Sequence, residues 1–456
     1  MRVLIFRLSL VSLFILVFPN PAGAQTTAND YFQRGLAEQN KNNLTAALAD
    51  YNRVLELDPN HALTCNNRGL IRQVQGDLNG ALADYNRAIE LDPKQVSAYN
   101  NRGNVRRAKF DLEGALADYL RALEFDPKNA YAYINCGNIR QARNDPDGAI
   151  ADYNRALELD PKNVGAYNNR GKARQARHDL DGAIADFHRA IKLSPDNPYL
   201  YINSGDARQA RNDLGGAIAD YCRAQELDPK NAYAYINCGM ARQARRDLSG
   251  ALADYSHALE LDPKNALAYN NRGNAKQATN DLNGAIADYN RALELDPKYA
   301  RAFYNRGVAK QASGNFEDAL MDLRRTDELD ADVNDYARLR IWLIRAQKGE
   351  HAAASQELSA FLQKRREGTA RDWIVKIGRF LLDQVSEADF FAAAASPDAE
   401  KERGQHCEFW YYAGMKRLLA GNKETAASHF HKCVATGKTN FTEYDSALSE
   451  LKALGK

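Results

Sequence analysis

Apolar and polar positions alternate along this chain with a helical period, and the alternation itself repeats. Prolines stand at 59, 93, 127, 161, 195, 229, 263 and 297, every gap 34 residues, and glycines from 35 to 307 keep the same spacing. Twelve residues after each glycine stands an alanine, from Ala47 to Ala319. Four beyond that stands a ring, from Tyr51 to Tyr289, with Phe187 once and Leu323 at the end. With the glycine taken as position 8 of the 34-residue unit, positions 3, 4, 7, 8, 10 and 11 share one face of a first helix, and positions 2, 6, 9 and 13 share another. A second helix carries the alanine and the ring. The proline ends it, because proline disfavours helix at the residue before it. The pattern predicts an all-α chain with nine tandem helix pairs across 28–333.

A 34-residue period with Gly, Ala, ring and Pro at these offsets resembles the tetratricopeptide repeat. The resemblance implies a right-handed α-solenoid, a superhelix of antiparallel helix pairs in which neighbouring units bury one another's apolar faces. It also implies that the first helices line an inner, concave surface.

Position 6 of that helix holds Asn67, Asn101, Asn135, Asn169, Asn203, Asn237, Asn271 and Asn305 in eight consecutive units. The column is similar to the asparagine ladder in the tetratricopeptide superhelix of O-linked N-acetylglucosamine transferases, which holds a peptide backbone. An amide offers both a donor and an acceptor, so it pairs with main chain without reading sequence. The alternative is that these amides cap or bridge neighbouring helices. Units four, six and seven read "YAYINCG", "YLYINSG" and "YAYINCG" and put Tyr131, Tyr199 and Tyr233 at position 2, one turn before the asparagine. These rings are candidates for reading a partner's side chains; otherwise each packs on the preceding unit. A glutamine column at position 12, Gln73 and then Gln141 to Gln311, reads as a solvated face.

Arginines recur at position 7 (Arg34, Arg68, Arg102, Arg170, Arg272, Arg306), and Arg72 to Arg242 with Lys276 and Lys310 hold position 11. Position 23 is aspartate in all nine units, from Asp50 to Asp322. In an antiparallel pair positions 7 and 23 lie close, so an internal Arg–Asp ladder is expected rather than a phosphate groove. The formal charge of +2 agrees, since a nucleic-acid partner calls for a basic excess.

The two ends differ from the array. Residues 1–24 carry Arg2 and Arg7, an apolar run from Leu8 to Phe18 and an Ala22-Gly23-Ala24 site, the pattern of a cleaved secretory signal. No cysteine near the cleavage site offers a lipid anchor, so a periplasmic or secreted protein without membrane insertion is expected. Beyond 333 the period decays: 334–404 reads as degenerate helices, 405–439 as a further repeat with Trp410, Gly414, Ala426 and Phe430 in register, and 440–456 as a capping helix over the open end. This tail resembles NlpI-type periplasmic tetratricopeptide proteins, which the resemblance implies are envelope adaptors for proteases and cell-wall hydrolases. Cys407 and Cys433 fall at positions 1 and 27, which face each other as positions 8 and 20 do, and in an oxidising compartment they are expected to form a disulfide. A metal site using His406, His429 and Cys433 is the rival. Cys222 and Cys238 mirror each other about a turn, where a second bridge is conceivable.

No Gly-rich phosphate loop, Gly-x-Ser-x-Gly elbow or paired metal ligands occur, and no cofactor is implied. The reading is a non-catalytic scaffold, a monomer or small oligomer, that binds an extended peptide or protein segment. The alternatives are an enzyme with a site hidden in 334–404 and a self-assembling structural protein.

Overall fold

The computed structural model describes residues 26–329, 331–364, 372–439 and 441–456. The proposed signal segment 1–24 lies outside the described residues. Among those described are twenty-five helices, numbered α1 to α25 in chain order, and no strand. They form two compact units that divide after Ala173.

In the first unit, α1 (Ala28–Asn40) pairs with α2 (Leu44–Leu57), α3 (Ala62–Val74) with α4 (Leu78–Leu91), α5 (Val96–Ala108) with α6 (Leu112–Phe125), and α7 (Ala130–Ala142) with α8 (Pro146–Leu159). In the second unit, α11 (Pro198–Ala210) pairs with α12 (Leu214–Leu227), α13 (Ala232–Ala244) with α14 (Leu248–Leu261), α15 (Ala266–Ala278) with α16 (Leu282–Leu295), and α17 (Ala300–Ala312) with α18 (Phe316–Leu329). Repeat five is α9 (Val164–Ala176) and α10 (Leu180–Leu193). This is the all-α succession of paired helices that the period predicts.

Each boundary has a local cause. The aspartate at position 16, as in Asp77, Asp111 and Asp213, caps the second helix by accepting from the N–H of the glycine three residues on, at 2.9–3.0 Å. The residue before each proline leaves the helical region, with Asp92 at φ −134° and ψ 93°. The glycine at position 8 is required by the ring at position 24. A Cβ on Gly103 would meet the Tyr119 ring at 2.7 Å, and one on Gly205 the Tyr221 ring at 2.6 Å. The glycine column thus makes room for a ring as well as for a backbone.

The C-terminal region of the second unit has its own core. Leu339, Trp342 and Leu343 of α19 (Ala331–Gln347) pack with Leu358 of α20 (His351–Gln363), Ile377 and Phe380 of α21 (Asp372–Leu381), Phe390 of α22 (Glu387–Ala392), and the rings of α23 (Ala399–Leu419) and α24 (Lys423–Ala435). Gly414 repeats the array's device, since a Cβ there would meet Phe430 at 2.6 Å. The last helix, α25 (Thr442–Ala453), packs on α23 and α24 and reaches further than a cap. Its Asp445 accepts from Arg246 of repeat seven at 2.8 Å, and Ser446 accepts from the buried Arg340 at 2.9 Å. Ser446, Ser449 and Glu450 line a small cavity with Gln277, Val308 and Gln311 of repeats eight and nine.

Candidate functional site

The first helices present two faces, and a wall of ion pairs fixes how they sit. In repeat three, Asp118 is buried and receives Arg102 through Nη2 at 2.6 Å and Arg106 through Nη1 at 2.8 Å. The expected ladder between positions 7 and 23 is present in both units, for Arg34 with Asp50, Arg68 with Asp84, Arg272 with Asp288 and Arg306 with Asp322. Position 11 supplies a second cation to the same carboxylate from Arg72, Lys276 and Lys310, and it supplies Arg140, Arg208 and Arg242 to Asp152, Asp220 and Asp254 in the repeats where position 7 is not arginine. Both cationic columns are therefore engaged inside the array. The position-7 guanidinium also reaches back one repeat, as Arg68 does to Asn52 at 3.0 Å and Arg102 to Asn86 at 2.8 Å.

The asparagine column lies at or just below the surface. Asn135 and Asn237 are buried; Asn67, Asn101, Asn169, Asn203, Asn271 and Asn305 are half-buried. Several of these amides bond to the preceding repeat. Asn101 Nδ2 donates to Asn66 at 3.0 Å, and Asn305 Nδ2 donates to Asn270 at 2.9 Å. Where position 5 is isoleucine the bond moves to position 9, from Asn169 to Asn138 and from Asn237 to Asp206, each at 2.9 Å. The column therefore does bridge helices, and the position-5 asparagine takes part in it, which its variability in the sequence conceals. At the junction of repeats three and four the bridge is missing. Asn135 Nδ2 and Asn100 Oδ1 are buried without a hydrogen-bond partner.

Glutamine at position 12 is not a free solvated face. The phenol of the buried ring at position 24 donates to it, from Tyr51 to Gln39 at 2.7 Å, Tyr85 to Gln73 at 2.9 Å and Tyr255 to Gln243 at 3.0 Å. Position 9 shares the task, with Tyr119 donating to Asn104 at 2.9 Å and Tyr221 to Asp206 at 2.7 Å. Burial and the Asp206 carboxylate together push the Tyr221 phenol far above its ordinary range.

Position 2 stands apart from this. Tyr131, Tyr199 and Tyr233 are 52%, 62% and 53% exposed, while the position-24 tyrosines are fully buried. Leu63 and Leu267 occupy the same position and are 53% and 45% exposed. Only the tyrosines stand out in the sequence; the 34-residue spacing of large apolar groups at position 2 marks the leucines as well. The Tyr131 hydroxyl exchanges hydrogen bonds with Asn104 of the preceding repeat at 3.0 and 3.3 Å, so its tip is held while its ring faces solvent.

Cys407 and Cys433 face each other as their positions require, both buried, with Sγ atoms 3.4 Å apart as two thiols rather than the roughly 2.05 Å of a disulfide. The histidines are engaged elsewhere. His406 stacks on Phe391, and His429 bonds to the Thr425 carbonyl and to Glu387. No group of three metal-ligating side chains occurs among the described residues, and no helix there is long and apolar enough to cross a membrane.

Family models described as TPR repeat and tetratricopeptide repeat match residues 31–61, 74–231 and 244–314, more than half of the chain. No curated protein matches. Among solved structures, the chain is similar to YrrB, titled a TPR protein with an unusual peptide-binding site. The two share 26% identity over 40% of this chain and 95% of that one, with a TM-score of 0.36. It is also similar to a tetratricopeptide repeat protein from Parabacteroides merdae (20% identity, 55% and 99% coverage, TM-score 0.43) and to yeast Tom70 (17%, 78% and 96%, 0.40).

Proposed function

Because the chain belongs to the tetratricopeptide repeat family, we propose that it is a non-catalytic interaction scaffold whose first-helix face holds an extended segment of a partner protein. One observation carries this reading: the large side chains at position 2 stay outside the core, one turn from the asparagine column, while the tyrosines at position 24 are fully buried. Exposed tyrosine gives a partner large contact area with a polar tip at low entropic cost. In the first unit Tyr131 stands at the repeat junction where Asn100 and Asn135 hold buried polar atoms without a hydrogen-bond partner. We place the scaffold in the cell envelope, on the signal-like residues 1–24 and the NlpI-like tail. There Cys407 and Cys433, already in contact, are a buried pair that an oxidising compartment can join.

The test is a binding measurement. A peptide selected from a random library on the full chain is titrated against wild type and against Tyr131→Ala, Tyr199→Ala and Tyr233→Ala. The reading expects at least one of the three to weaken binding about tenfold or more, near 1.4 kcal/mol. Equal affinity for all three, with helicity retained, would remove the rings from the site.

A further inference from the structure

We infer that Cys222 and Cys238, at the junction of repeats six and seven, form a peroxide-reactive dithiol that closes to a disulfide, with Cys222 as the attacking sulfur and Cys238 as the resolving one. The inference is independent of the peptide-binding reading.

The argument begins with which side chains meet across a repeat junction. Position 25 of one repeat and position 7 of the next touch at several other junctions, as Asn52 with Arg68, Asn86 with Arg102, Ser256 with Arg272 and Asn290 with Arg306 show. Each pair is 16 residues apart. Cys222 on α12 and Cys238 on α13 occupy these same two positions, and they alone put sulfur at both. Cys222 packs against the buried cluster that holds Cys238.

Their surroundings differ in a way that assigns roles. Cys222 is partly open to solvent, whereas Cys238 is fully buried. Arg242 Nη2 donates to Cys222 Sγ at 3.7 Å. Arg242 Nη1 holds Asp254 at 2.9 Å. The groups facing Cys222 are thus Cys238 and Arg242 from α13 and Asp254 from α14. The hydrogen bond from Cys238 lowers the Cys222 thiol, burial opposes it, and the Arg242 charge adds to the lowering. Cys238 moves up, held protonated by its bond to Cys222, by burial and by Asp254. A thiolate beside a guanidinium, next to a protonated second thiol, is the arrangement of a reactive and a resolving cysteine.

The chemistry balances with a hydroperoxide as oxidant. The Cys222 thiolate attacks the peroxide oxygen; an S–O bond forms, the O–O bond breaks, and the departing alkoxide or hydroxide takes a proton from solvent. Cys238 then attacks the sulfenic sulfur. The S–S bond forms, the S–O bond breaks, and water leaves with the Cys238 proton. Two thiols give up two electrons in all, and the peroxide is reduced to an alcohol, or to water, plus the water released. The product ties α12 to α13, that is, repeat six to repeat seven.

The experiment uses the full chain, reduced and then exposed to equimolar hydrogen peroxide at pH 7, with peptide mapping by mass spectrometry. The expected product is one 222–238 cross-link, formed before any change at Cys65, Cys136, Cys407 or Cys433. In Cys238→Ser, dimedone should trap a sulfenic acid at Cys222, and in Cys222→Ser none should appear at Cys238. Iodoacetamide on unoxidised wild type should alkylate Cys222 about tenfold faster at pH 7 than Cys65. This arm needs no variant. Oxidation starting at the other cysteines, or alkylation of Cys222 no faster than of Cys65, overturns the inference.

Discussion

Repeats three and four lie side by side in the first unit and settle the same junction in two ways. Repeat three reads "AYNNRG": its Arg102 spans from Asp118 to Asn86 of the preceding repeat, and Arg106 adds a second cation to the same carboxylate. Repeat four reads "AYINCG": Cys136 stands in place of the arginine, Leu120 stands in place of the receiving asparagine, and Asp152 is left with Arg140. The substitutions travel together because a guanidinium at position 7 needs an acceptor at position 25 of the repeat before it. Repeats six and seven make the same exchange, and these three repeats are the ones that carry the exposed tyrosines. Loosening the ion-pair wall and displaying a ring thus occur at the same junctions.

The comparison can be broken most sharply at the aspartates. Asp118→Ala leaves two cations facing a buried gap and should cost about 3–5 kcal/mol, the scale for breaking a buried pair. Asp152→Ala strands one and should cost about 1–3 kcal/mol. Urea unfolding, with hydrogen exchange to localise the loss, checks the ordering; equal costs would show that position 7 adds nothing to the wall.

The next test converts one kind of repeat into the other. Leu120→Asn and Cys136→Arg together should recreate the Asn86–Arg102 arrangement, with a favourable coupling of about 0.5–3 kcal/mol in a double-mutant cycle. Additive effects would mean that the paired exchange carries no energy.

The pH dependence follows from the missing cation. Burial pushes the Asp152 carboxyl up from 3.8 to about 6, against the pull of Arg140. A carboxyl raised on folding holds its proton more tightly in the native state. Its contribution is therefore complete below 3.8 and is lost as pH rises through about 6. Asp152→Asn should remove this decline from stability measured between pH 4 and pH 6.5, and the two-residue conversion should reduce it. A decline of the same size in Asp152→Asn would assign it to other groups. The smallest effect belongs to the ring: Tyr131→Ala should shift stability by no more than about 0.5 kcal/mol, because about half of the side chain is already exposed and its bonds to Asn104 lie at the surface.

What the sequence made legible was whatever recurs at a fixed offset. The helix pairs, the glycine facing a ring and the Asp50-to-Asp322 column answering the arginines can all be read from the 34-residue period. Roles shared between repeats were harder to see. Asn66 and Asn270 belong to the amide column although position 5 varies, because an acceptor from position 9 replaces them where isoleucine intrudes. Gln73 and Gln243 looked solvated because nothing in a helical wheel shows that a phenol from the second helix ends on them. The reach of α25 to Arg246, across 199 residues, leaves no periodic trace at all. Leu63 and Leu267 become legible only when position 2 is compared across repeats, since a leucine on a helix reads as core until it is set beside Tyr131 and Tyr199.

The central claim is that the exposed position-2 rings hold a partner, and affinity measured at constant stability tests it most directly. The Kd of a library-selected peptide, measured by fluorescence anisotropy for wild type and for the Tyr131→Ala/Tyr199→Ala/Tyr233→Ala triple variant, should rise by about a hundredfold or more, near 2.7 kcal/mol, while the melting temperature stays within a few degrees. An unchanged Kd at an unchanged melting temperature would contradict the account.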